Sequence, residues 1–112
     1  ILTETKAEHS TENVYYSYKK AKKMGFTKIA LATDPFQAKS LNRFMKKRVS
    51  KDVANIPIKF DVIKSLEPTM ITPEIDIQQA FNKDFISIKE RENFFKRLRG
   101  TMGKNLNKTY YE

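Results

Sequence analysis

The sequence predicts an α/β fold in which a parallel sheet, incomplete at about three strands, is flanked by about three or four helices. Two observations predict it. Lys28–Thr33, KIALAT, is a short run with few polar residues, the pattern of a strand buried on both faces of a parallel sheet. Strand-like and helix-like segments also alternate along the chain, which calls for right-handed crossovers between parallel strands.

The elements follow in order. Ile1–Thr3 is apolar and β-prone and reads as the end of a strand. A helix is expected from Thr11 to Met24, with Val14, Tyr18 and Ala21 on one face and Ser10 as N-cap. Glu12 falls in its first turn, where the helix dipole favours an anion. Lys19, Lys20, Lys22 and Lys23 crowd the far end, and Gly25 suits the residue after the C-cap. After the strand at 28–33, Asp34 can cap and Pro35 fits the first helical position. The next helix is expected from Phe36 to Val49, with Ala38, Leu41, Met45 and Val49 as its apolar stripe and Arg43, Lys46, Lys47 and Arg48 opposite. Ile56, Ile58, Phe60 and Val62 alternate as in a third strand. Glu67–Glu74 carries two prolines and reads as a loop. Ile75–Phe85 reads as a short helix or loop anchored by Phe81 and Phe85. Ser87–Glu90 matches a capping box, predicting a helix over Ile88–Arg99 that Gly100 ends. The tail from Thr101 is polar, with two terminal tyrosines.

The 112 residues suit one domain, and 39% hydrophobic with 31% charged residues fits a globular chain. Three strands are few for a sheet covered on both faces, which usually has about five or six. Together with Ile1 in place of an initiator Met, this leads us to expect that a segment upstream, an anchor or a further subdomain, completes the unit. No apolar run approaches the roughly 20 residues that span a bilayer. With no cysteine and one histidine, the sequence offers no disulfide, no thiolate metal site and no cysteine nucleophile. A His-rich metal site or a Ser-His-Asp triad would depend on His9 alone. The three glycines form no dinucleotide fingerprint.

Two turns can converge at one edge of a parallel sheet, beyond the carboxyl ends of the strands, where ligands bind in such folds. They run from Glu4 to Asn13 and from Thr33 to Gln37. Glu4, Ser10, Glu12, Asn13, Thr33, Asp34 and Gln37 are therefore candidate ligand-binding residues. The carboxylates suit proton transfer or hydroxyl binding, and the others suit orienting a polar small molecule. Alternatively, Ser10 and Asp34 are caps only and Glu12 merely complements the dipole.

At these positions the chain resembles the bacterial YdcF/SanA/ElyC-like family, a domain of unknown function. That family has an apolar strand ending in Glu, a polar turn, then Asn-Thr-x-Glu-Asn opening a helix. ILTETKAEHSTEN follows this layout through Glu4, Ser10, Glu12 and Asn13. The family's next strand ends in Thr-Ser/Asp-x-Phe/Tyr-His followed by Arg, and LATDPFQ matches through Thr33, Asp34 and Phe36. His9 stands where Asn is usual, Gln37 where His is usual, and Ser40 near the usual Arg, which alters any ligand role those residues hold. The resemblance implies a Rossmann-like domain of which this chain is the C-terminal half, residues 1–112 forming one unit. It also implies a conserved polar pocket, a bacterial cell-envelope role, and membrane anchoring through a segment outside this chain. It implies no settled reaction and leaves the cofactor unknown.

The net charge of +9 and pI near 9.8 leave other partners open. Lys39, Arg43, Lys46, Lys47, Arg48, Lys51, Arg91, Lys96, Arg97 and Arg99 form a basic set suited to a polyanion or an anionic membrane surface. No aromatic stacking stripe or nucleic-acid motif accompanies them, which disfavours nucleic acid. A third reading is a fragment without activity of its own, whose free strand edges pair with a missing N-terminal half or a second copy.

Overall fold

The computed structural model describes residues 2–74, 76, 78 and 82–112. Helix α1 spans Ser10–Lys23, strand β1 Ala30–Thr33, and helix α2 Pro35–Phe44, which runs on as a π turn over Met45–Val49. Strand β2 is Ala54–Pro57 and helix α3 is Phe60–Leu66, ending in a 3-10 turn over Glu67–Thr69. Helices α4, Ile88–Arg91, and α5, Phe94–Thr101, follow. The architecture is α/β: β1, α2 and β2 make one parallel crossover unit, with Ala30 opposite Ala54 and Thr33 opposite Pro57.

Local chemistry sets most of these boundaries. Asp34 accepts the Gln37 amide at 3.0 Å and Pro35 follows it, so α2 starts one residue before the expected Phe36. Gly25 adopts φ +89°, open to glycine without strain, and ends α1. The π turn keeps Met45 buried and Val49 half-buried while Lys46, Lys47 and Arg48 stay exposed. The core is small: Val14, Leu41 and Met45 are buried, with Leu31, Val49 and Val53 packed against them. A second centre forms around Tyr16, 2% exposed, whose ring meets Tyr110 edge-on at 5.3 Å. The polar tail is thereby laid along α1. Asn107 donates its amide to the Tyr16 hydroxyl at 2.8 Å, and Lys19 and Lys23 donate to the carbonyls of Lys108 and Glu112.

Several expectations are corrected. Leu2 and Thr3 form no strand, and Ile1 lies outside the described residues, so the sheet has two strands among the described residues rather than three. KIALAT is not buried on both faces: α2 packs on one side, while Ala30, Ala32 and Ile56 are exposed on the other. The alternation at Ile56–Val62 is cut short at Pro57, and Phe60 and Val62 belong to α3. There Phe60/Ile63 and Val62/Leu66 also satisfy helical spacing, so two periods compete over the same residues. Glu67–Glu74 begins as the 3-10 turn that closes α3 before it becomes irregular. Phe85 is 69% exposed rather than a buried anchor, and Phe81 lies outside the described residues. The capping box forms, with Glu90 accepting the Ser87 amide at 3.0 Å. The helix it opens stops at Arg91, however, because Glu92 turns to extended backbone and Asn93 caps α5 by accepting the Lys96 amide at 2.9 Å.

Candidate functional site

The N-terminal turn of α1 divides its polar residues between two faces. Residue by residue, Ser10 is not the cap: His9 holds that place with extended backbone, and Ser10 is the first helical residue. Ser10 and Asn13 point instead toward β1. With Thr33 at the end of β1 and Gln37 in the first turn of α2, they line a cleft of about 420 Å³ between α1 and the sheet. Val14, Ala21, Leu31, Leu41 and Val53 form its apolar floor. Among the described residues no charged one lines it, in a chain that is 31% charged.

Three of the seven candidates turn elsewhere. Asp34 acts as a helix cap. Glu4 folds onto its own turn, accepting the amides of Lys6 at 2.7 Å and Ala7 at 2.9 Å and the Tyr111 hydroxyl at 2.7 Å. Partial burial pushes its pKa up, but these donors outweigh burial and hold it below the ordinary carboxylate value. The same bond to Glu4 pushes the Tyr111 phenol up, and burial pushes Tyr16 up. Because the folded state holds the Glu4 proton more weakly, its contribution is complete above the ordinary value of 4.5 and is lost as pH falls through the lowered one. Glu4→Gln is expected to cost about 1–2 kcal/mol at neutral pH and to flatten the loss of stability on acidification. Thermal melts of both proteins across the acid range check this, and parallel pH profiles would refute it.

Glu12 lies on the opposite side of α1, where it is 5% exposed. It accepts the Glu8 amide at 2.8 Å and bonds His9 Nδ1 at 2.9 Å. The other ring nitrogen, Nε2, lies 3.1 Å from Glu92, which is 6% exposed. Both ring nitrogens thus face carboxylate oxygens. Lys96 Nζ stands 3.5 Å from Glu92, and Arg91 pairs with Glu8 at the rim. Beneath the ring, Gly100 presents bare backbone, and its carbonyl accepts the Thr11 hydroxyl. Gly100 thus sits inside α5 as the floor under His9, not as the expected helix stop. The acidic turn around the single histidine is therefore a clasp between α1 and the C-terminal helices. Among the described residues no His, Cys, Asp and Glu group suited to a metal ion is found.

The sequence reasoning missed Glu92 and took Gly100 for a helix stop rather than the floor under His9. No local pattern marks either role, since Glu92 lies 83 residues from His9. Of the basic set, Arg91 and Lys96 are engaged with carboxylates, and Lys39, Arg43, Lys46, Lys47, Arg48 and Lys51 are exposed on or just beyond α2. Among the described residues, no helix is long and apolar enough to cross a membrane. Compared with family models, curated proteins and solved structures, the chain finds no match.

Proposed function

We propose that this chain is the ligand-binding part of a Rossmann-like unit, taking an uncharged polar small molecule in the cleft between α1 and β1. One observation carries the reading: Ser10, Asn13, Thr33 and Gln37 line one cleft whose lining, among the described residues, is uncharged. Hydroxyls and side-chain amides there both donate and accept, which suits a hydroxylated or amide-bearing ligand with an apolar body over the floor. Ser10, Asn13 and Thr33 are among the residues that carry the resemblance to the YdcF/SanA/ElyC-like family, while Gln37 stands where that family has His; with the resemblance comes the proposed place in bacterial cell-envelope biogenesis. Glu4 and Glu12 spend their oxygens on the protein's own donors, so the cleft as folded favours binding over carboxylate acid–base chemistry.

Asn13→Ala and Gln37→Ala test this. Screening a set of neutral sugars and amides by NMR should perturb amides at Ser10, Asn13, Thr33 and Gln37. Each substitution should weaken binding about tenfold with little change in Tm, as expected for loss of one or two hydrogen bonds. Perturbations that fall elsewhere, or substitutions that lower Tm and leave binding intact, would overturn the proposal.

A further inference from the structure

Helix α5 is amphipathic with its apolar side outward. At 3.6 residues per turn, Phe94, Phe95, Leu98 and Met102 fall within an arc of about 100°. Gly100, which is buried against His9, lies on the opposite side. The outward residues are 69%, 74%, 42% and 50% exposed. Arg97 borders the arc on one flank and Arg99 on the other, and α5 contains no acidic residue.

We propose that this face of α5 docks on the interface of an anionic lipid bilayer. Two phenylalanines, a leucine and a methionine would enter the headgroup boundary, with Arg97 and Arg99 against lipid phosphates. Helices with apolar and cationic residues arranged this way lie in the plane of anionic membranes. Charge decides between occupants. A second copy would set Arg97 and Arg99 against their own equivalents in a chain of net charge +9, whereas an anionic surface neutralises both flanks. The folded packing is unaffected, because the side of α5 that holds the domain is the Gly100 side.

Co-sedimentation of the full chain with vesicles tests this. Binding to phosphatidylcholine vesicles containing phosphatidylglycerol should exceed binding to phosphatidylcholine alone by about tenfold or more, and should fall as salt rises. F94S/F95S and R97E/R99E should each lower partitioning by about tenfold, with unchanged circular dichroism. Equal binding to both vesicle types, binding untouched by either double variant, or no binding at low salt would overturn the proposal. So would self-association in sedimentation velocity that F94S/F95S abolishes, which would assign the stripe to a second copy.

Discussion

His9→Ala is expected to destabilise the chain by about 3–5 kcal/mol, a large part of a typical domain's total stability. The side chains of His9, Glu12 and Glu92 are 7%, 7% and 3% exposed, so removing the ring leaves two carboxylates buried without it. The Glu8 amide still serves Glu12, and Lys96 still approaches Glu92, but neither fills the space between them. Chemical denaturation measures the loss. The C-terminal helices should also lose amide protection ahead of β1, α2 and β2, because the clasp is what holds α5 on α1. A loss below about 1 kcal/mol, within the range of an exposed pair, would show that the triad is solvated rather than structural.

Gly100→Ala is expected to cost about 1–3 kcal/mol, against the usual gain from replacing glycine inside a helix. A Cβ there would come within 2.3 Å of the His9 ring. A flexible side chain would swing away, but this ring is held at both nitrogens. The sign should reverse without the ring. In a His9→Ala background, Gly100→Ala should be neutral or stabilising by up to about 1 kcal/mol, since only helix propensity remains. The double-mutant cycle reads this coupling directly, and additive effects would mean that His9 yields freely.

What was legible in the sequence was local. Asp34-Pro35, Gly25 and Ser87–Glu90 each act within a few residues, and each does in the fold what its chemistry suggests. The apolar stripe of α2 was equally plain, because 3.6-residue periodicity needs only one helix to be seen. Phe60 and Val62 misled because alternation and helical spacing overlap in a short apolar run. Among the candidates, Ser10, Asn13, Thr33 and Gln37 meet at one cleft, but not by the strand-end logic that placed them: no strand precedes α1 among the described residues, and the cleft runs beside β1, lined from Ile29 to Thr33. Glu12 does not join them. Glu4, in the segment before α1, likewise bonds Tyr111 near the far end of the chain. A side chain near a helix start can face either flank, and which one is decided by residues that the local window does not contain.

The grip of the last residues on α1 has a kinetic consequence. Glu4 meets Tyr111 across 107 positions, and Tyr16 meets Asn107 across 91. The β1–α2–β2 unit closes over short sequence separations and can form as soon as it is made. Tyr16 on helix α1 can be covered only after Asn107 and Tyr110 have been made. At about 5–20 residues per second, the emerging chain spends several seconds with Tyr16 uncovered. Contacts of such high sequence separation also slow refolding, because loop closure precedes the contacts that reward it. Folding of this chain should therefore proceed in two stages, an early middle and a late joining of its ends. Truncation after Gly103 should remove the contacts of Asn107, Tyr110 and Tyr111 while leaving the first stage and the His9–Glu92 clasp in place.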